Sequence, residues 1–257
     1  MLAIRPEQMK VFEDVAMRRF EDEMVEHVKS NAIRARLCKV LGDEQLRVAI
    51  RQTITRAGKF GFTNRGPIRL YIELAFLFGS DFDTDPQYPA IGKILKTDGE
   101  QMERAEQIHQ WVLDYQKKVY GPEAQNVPKA LQALSDFAQK KVPFTANNLV
   151  ADMLDEMTQA FPQKAAHVGE AALKALIQEG RTEARNHRLP IRGEALLATL
   201  KYGFGHGCTD DPLYPWILQT LKDEKITDPP ARAERLEKKA MTWLETVLAR
   251  HREGAKT

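Results

Sequence analysis

Two segments of this chain are similar to each other at a constant offset of 126 residues. Residues 78–95 read FGSDFDTDPQYPAIGKIL and residues 204–221 read FGHGCTDDPLYPWILQTL, so that eight of the eighteen aligned positions are identical. Unrelated segments of average composition share about one identity over this length. Self-similarity at a fixed offset is typical of a repeated structural unit. We therefore predict a tandem duplication of a unit of roughly 125 residues, with a first helical repeat at 1–121 and a second at 122–257, packed as a pseudo-two-fold pair.

Apolar residues recur at helical spacing along most of the chain, and strand-like alternation is rare. In the first segment they fall three or four residues apart, which places them on one face of a helix: Met9, Phe12, Ala16, Phe20, Met24 and Val28. Residues 67–78 are apolar around nearly the whole circumference, which is typical of a buried helix, and residues 193–204 are their counterpart in the second repeat. We therefore predict an all-α fold with these two segments as buried central helices.

The composition excludes several classes of protein. With 43% hydrophobic residues the chain can form a large core, which argues against disorder. A formal net charge of only +2 argues against a dedicated nucleic-acid binder. The sequence has neither a secretory signal pattern nor an apolar run approaching the ~18 residues of a membrane span. We therefore expect a cytoplasmic protein that neither inserts into a membrane nor binds nucleic acid, with Cys38 and Cys208 as reduced, buried thiols.

An acidic loop follows the first central helix. Asp81, Asp83 and Asp85 alternate along it, as the oxygen ligands of calcium loops do, but the glycine and glutamate that complete such a loop are absent. The second repeat keeps one aligned acid, Asp211. Asp85 and Asp211 also precede a predicted helix, where a carboxylate can accept hydrogen bonds from the free N–H groups of the first turn. We predict capping and turn formation here, with cation binding as the alternative, and we expect neither a metal site nor a cofactor.

Motifs of catalytic chemistry are missing from the sequence. The six histidines form no zinc-ligand spacing, and no serine-hydrolase motif G-x-S-x-G occurs. The glycine-rich residues 203–207 follow a helical pattern rather than a strand, so a dinucleotide fingerprint is not indicated. His206 and Cys208 could pair as imidazole and thiol, but Cys208 aligns with Phe82, which favours a packing role. We therefore expect no catalytic residues.

Several parts of the first repeat resemble a group of helical proteins of proteobacteria, themselves uncharacterised, that are often encoded beside type VI secretion spike and effector genes. The resemblance covers about residues 1–120 and lies in four stretches: Ile4-Arg5-Pro6-Glu7-Gln8-Met9, Phe20-Glu21-Asp22-Glu23-Met24-Val25-Glu26-His27, Phe60-Gly61-Phe62 and Phe78-Gly79-Ser80-Asp81-Phe82-Asp83. It implies an accessory role, as an adaptor or chaperone that holds a secreted effector or spike component, or as an immunity-like partner that neutralises a toxin. The resemblance brings no catalytic residue with it.

Two functional hypotheses follow from the sequence. The first is a non-enzymatic protein-binding accessory factor. Aromatic residues are enriched in interface cores, so Tyr88, Tyr214 and Trp216, which we expect to be exposed beside the repeat loops, are its candidate partner-binding residues. The alternative is a cation-dependent hydrolase that uses the loop of Asp81, Asp83 and Asp85.

Overall fold

The computed structural model describes residues 5–30, 35–139 and 143–254 of the 257-residue chain. In these ranges the backbone forms twelve α-helices and no strand, so the prediction of an all-α fold is confirmed. None of the helices in the described ranges is long and apolar enough to cross a membrane. The helices are α1 Pro6–Ser30, α2 Ala35–Lys59, α3 Arg65–Phe78, α4 Pro89–Leu95, α5 Gln101–Tyr115, α6 Asn126–Gln139, α7 Leu149–Ala160, α8 Pro162–Val168, α9 Glu170–Asn186, α10 Ile191–Phe204, α11 Pro215–Leu221 and α12 Pro229–Gly254.

The two predicted central helices are α3 and α10. Each has 14 residues, begins two residues before the predicted start and is buried on most of its circumference, as the sequence predicts. Each helix is followed by a glycine, Gly79 or Gly205, whose backbone N–H donates the last hydrogen bond of the helix. The positive φ at these two residues ends the helix, and glycine adopts a positive φ without steric cost.

Two pairs of corresponding helices match in length: α3 and α10 have 14 residues each, and α4 and α11 have 7 each. α10 begins 191 − 65 = 126 residues after α3, and α11 begins 215 − 89 = 126 residues after α4. α2 kinks at Gly42, where φ is 75° and ψ is 160°, and Gly169 separates α8 from α9 with φ 84° and ψ 153°. These correspondences agree with the repeat pattern in the sequence, while duplication of an ancestral unit stays a prediction.

The hydrophobic core runs through both halves. The larger of two clusters extends from Phe20 in α1 to Leu236 in α12, and a smaller cluster joins α7, α8, α9 and α10 around Leu176. Residues of α8 also lie against the single π-helical turn, Gln116–Tyr120, that continues α5. The larger cluster therefore contains residues of both halves.

The apolar face of α1 is only half covered. Phe20, Met24 and Val28 are buried, as the spacing predicts, but Met9 is 47% and Phe12 is 62% exposed. The helical spacing therefore extends beyond the part of the helix that packs on the core. The reason lies in the neighbouring helix: the pairing of α1 with α2 begins near residue 21, where Glu21 meets Arg51, and every side chain described between 9 and 19 is exposed.

Candidate functional site

The turns that follow α3 and α10 meet at the centre of the molecule. We call residues 79–88 and 205–214 the paired turns. A Cβ atom built on Gly79 would lie 2.3 Å from the carbonyl oxygen of Phe204, and one built on Gly205 would lie 2.4 Å from that of Phe78. Since φ is 99° at Gly79 and 98° at Gly205, both the space and the backbone angle favour glycine at these positions. The two backbones can approach this closely only because neither residue has a side chain.

Two buried aspartates connect the paired turns reciprocally. Asp85 Oδ2 accepts a 2.8 Å hydrogen bond from the backbone N–H of His206. Asp211 Oδ2 accepts a 2.8 Å hydrogen bond from the backbone N–H of Ser80. Each acid sits on one turn and bonds to the residue directly after the glycine of the other, so the two turns hold each other in place.

The second oxygen of each aspartate shapes its own turn. Asp85 Oδ1 accepts the N–H of Gln87, and Asp211 Oδ1 accepts the N–H of Leu213, each at 2.8 Å. These donors stand two residues after the acid and before α4 and α11 begin, which is the pattern of an Asx turn. The prediction of turn formation is thus confirmed, but the prediction that these acids cap the following helices is wrong.

Asp81 and Asp83 form an ion-pair cluster with Arg56, which α2 carries into the first turn. Arg56 Nε lies 2.9 Å and 2.8 Å from the two oxygens of the buried Asp83, and Arg56 also pairs with Asp81. The hydroxyl of Tyr71 donates a 2.8 Å hydrogen bond to Asp83. Burial opposes the charge of Arg56, yet its bonds to Asp83 and the charge of Asp81 raise its pKa above the ordinary value. For Tyr71, burial acts in the other direction and raises the pKa, because it disfavours the phenolate. The Tyr71 hydroxyl therefore keeps its proton and donates to Asp83.

This arrangement does not favour the alternative of a cation loop. The oxygens of Asp83 and Asp85 face hydrogen-bond donors, and Asp81 is paired with Arg56. Across the described ranges, no group of three or more His, Cys, Asp or Glu side chains is placed to hold a metal ion. Asp85 connects the paired turns to each other, whereas Asp81 and Asp83 connect the first turn to α2 through Arg56.

A polar cavity of about 430 Å³ lies beside the paired turns. Its walls carry charges of both signs, and Arg51, Lys59 and Asp210 among them are exposed. Arg51 and Arg56 already pair with Glu21 and the turn aspartates. The lining residues are Arg51, Gln52, Thr53, Thr55, Arg56, Lys59, Ser80, Asp81, Asp210, Asp211 and Pro212.

Two of the three candidate partner-binding aromatics lie inside the protein. Tyr88 is 3% and Tyr214 is 9% exposed, so the expectation that they are exposed is wrong. Their rings pack 4.3 Å, centroid to centroid, from those of Phe78 and Phe204 respectively. The turns carry both tyrosines under the outer helices α5 and α12. Trp216 is half-buried and packs against the same core.

A buried lysine that sequence reasoning missed lies between the two halves. Lys164 in α8 donates from Nζ to the carbonyl oxygen of Tyr202 at 2.5 Å, and Nζ lies 4.5 Å from the centroid of the Tyr202 ring and 5.8 Å from that of Tyr88. Burial lowers the pKa of Lys164 to about 8, while the charge of Asp85 acts in the opposite direction. No local pattern marks this lysine, since its partners are distant in the sequence. Arg56 was missed for the same reason.

Two apolar features are the remaining candidates for binding. The first is the N-terminal half of α1, residues 6–19, which we call the projecting segment; the large apolar side chains described as exposed in it are Met9, Val11, Phe12, Val15 and Met17. The second is a half-open space of about 140 Å³ between α6, α10 and α12, which we call the apolar cleft. No known protein family matches the chain, and neither the curated proteins nor the solved structures contain a match.

Proposed function

We propose that this protein is a non-enzymatic protein-binding accessory factor, an adaptor or chaperone of a secreted effector in a type VI secretion setting. The single observation that carries the proposal is the projecting segment with its five exposed large apolar side chains. Contiguous exposed apolar patches beyond a few hundred Å² are rare on monomeric proteins and mark interaction sites. The resemblance of the first repeat to secretion-associated helical proteins supplies the class of partner.

The length of the projecting segment also favours a partner. It comprises 14 residues of α1, which correspond to a helix of about 21 Å at ~1.5 Å per residue. Isolated helices shorter than about 12–15 residues are marginally stable in water. This half of α1 has no covering neighbour among the described residues, so contact with a second protein would supply the packing that other helices of the chain obtain internally.

The segment is amphipathic. At 100° per residue, Val11, Val15, Phe12, Ala16 and Met9 fall within one half of the helix circumference, interrupted by Gln8 and Arg19, whereas Met17 falls on the other half. Lys10, Asp14 and Arg18 lie on the opposite half. A helix with this distribution can bind an apolar groove or another helix on the partner, which its apolar residues three and four positions apart would contact.

The test is co-expression with the proteins encoded by the neighbouring genes, followed by measurement of any complex in solution. Phe12→Gln with Val15→Gln removes two side chains that do not pack on the body of the protein, and we expect affinity to fall at least ~30-fold, as for an interface hot spot worth 2 kcal/mol or more. Lys10→Gln with Asp14→Asn, on the opposite side of the same helix, is the matched control and should bind as the wild type does.

Equal binding by both double variants would contradict the proposed surface. Absence of a stoichiometric complex with any neighbouring effector or spike protein would contradict the proposed function. Measurement of the effector's toxicity distinguishes an immunity-like role from a chaperone role. An immunity-like partner suppresses that toxicity in cells, whereas a chaperone leaves the secreted effector toxic.

A further inference from the structure

The apolar cleft lies between the three helices α6, α10 and α12. α10 forms its floor, α6 one wall and α12 the other, and Phe137 and Phe144 pack edge to face at one side with ring centroids 6.0 Å apart. The lining residues are Leu131, Leu134, Phe137, Ala138, Phe144, Arg192, Ala195, Leu196, Thr199, Leu200, Gly203, Phe204, Glu237, Ala240, Met241, Trp243 and Leu244.

The cleft is long and narrow. α10 contributes one complete helical stripe from Arg192 to Phe204, with successive lining residues at helical spacing. Thirteen residues of helix correspond to about 18 Å. The volume of about 140 Å³ is close to the ~150 Å³ of apolar protein cavities that stay dry and bind benzene. A helix of ~10 Å diameter is too wide for such a space, whereas a single hydrocarbon chain is not.

The polar groups in the cleft already have partners. Arg192 Nε lies 2.9 Å from Glu237 Oε2, and Arg192 also donates to the carbonyl oxygen of Ala138. The hydroxyl of Thr199 donates to the carbonyl oxygen of Ala195 at 2.9 Å. Within the described lining, charge is therefore neutralised locally, and a ligand with its own buried charge would find no counter-ion. An uncharged apolar occupant matches this lining best.

We propose that the apolar cleft is a binding site for the unbranched aliphatic chain of a small uncharged molecule. The chain lies along α10 between α6 and α12, and its polar end remains in solvent at the open side. Burial of the chain removes apolar surface of both partners from water, and this contribution scales with chain length. This site is independent of the projecting segment, so each proposal can fail without the other.

The experiment uses the full chain and decanol as the probe. Trp243 lines the cleft, so a Trp111→Phe, Trp216→Phe background makes its fluorescence the only tryptophan signal. We expect a saturable change in this fluorescence on titration with decanol, together with a rise in melting temperature. Butanol should bind at least ~30-fold more weakly because it is shorter by six CH₂ groups, each worth about 0.8 kcal/mol when fully buried.

Gly203→Leu is the blocking variant, since a Cβ atom at Gly203 meets no heavy atom within 4 Å and the new side chain can extend into the cleft. We expect at least tenfold weaker decanol binding. Gly66→Leu, at another open helical glycine outside the cleft, is the matched control and should bind normally. If Gly203→Leu does not fold, Ala240→Leu on the α12 wall serves the same purpose.

Three results would overturn the proposal. The first is no saturable response to decanol, and the second is an equal response in the blocking and control variants. The third is self-association of the wild type that Gly203→Leu abolishes, because a second copy then occupies the cleft.

Discussion

Substitution of Gly79 by alanine tests the central contact between the two halves. At φ 99° and ψ 155° the backbone is in a region that is essentially restricted to glycine, and a side chain there costs on the order of 1–3 kcal/mol. In addition, the new Cβ atom would lie 2.3 Å from the carbonyl oxygen of Phe204, so the paired turns must separate. Separation lengthens the bonds of Asp85 to His206 and of Asp211 to Ser80, and hydrogen bonds to charged groups contribute about 1.5–3 kcal/mol each.

The expected loss in the free energy of unfolding is therefore at least about 4 kcal/mol. Urea denaturation followed by far-UV circular dichroism measures it. Gly203→Ala is the matched control, because a Cβ atom at this helical glycine meets nothing within 4 Å, and it should stabilise the protein by about 0.5–1 kcal/mol. Gly79→Ala combined with Gly205→Ala should cost less than the sum of the single changes, because both break the same contact.

A loss below about 1 kcal/mol for Gly79→Ala would refute the reasoning. If this variant does not fold, Asp85→Asn gives a milder measurement, since it keeps the shape of the side chain, removes its charge and puts an NH2 group in place of one of its two accepting oxygens. We expect a cost of about 1–3 kcal/mol, because the backbone N–H of Gln87 or that of His206 then loses its acceptor.

Three further measurements test other parts of the structure. The pKa of Lys164 is about 8 in the folded protein and its ordinary value is 10.5, so above pH 8 the unfolded chain holds a proton that the folded protein has released. Between about pH 8 and pH 9.5 the free energy of unfolding should therefore rise by about 1–2 kcal/mol relative to that of the Lys164→Met variant. Parallel pH profiles of the two proteins would contradict this. Arg56→Gln leaves the buried Asp83 without its cation and should cost about 3 kcal/mol by urea denaturation, whereas Lys118→Gln, at an exposed ion pair, should change stability by less than about 0.5 kcal/mol. Excess Ca²⁺, Mg²⁺ or Mn²⁺ should leave the melting temperature unchanged because the turn carboxylates already have donors, and a saturable rise would revive the cation-loop alternative.

Local patterns in the chain indicated the helical fold and parts of individual helices, although α3 and α10 each begin two residues before the predicted start. The periodicity of apolar residues predicted α3 and α10, and Gly79 marked the end of α3 because a glycine at a helix end permits positive φ. The aspartates at 85 and 211 were recognisable as turn residues, since the side chain and the N–H that it accepts are two residues apart. Their second role, across the paired turns, depends on residues about 120 to 130 positions away, and no local pattern carries it.

Burial was the property that the sequence could not assign. Met9 and Phe12 have the same spacing as the buried Met24, and Tyr88 and Tyr214 lie in loops whose composition suggests a surface. By itself the sequence determined the all-helical backbone, because helical hydrogen bonds join residues four apart and the apolar period follows from that geometry. Only the tertiary structure decided which helical faces are covered, which tyrosines are buried and which charged side chains form pairs. These outcomes depend on which helix packs against which, and the packing partner often comes from a distant part of the chain.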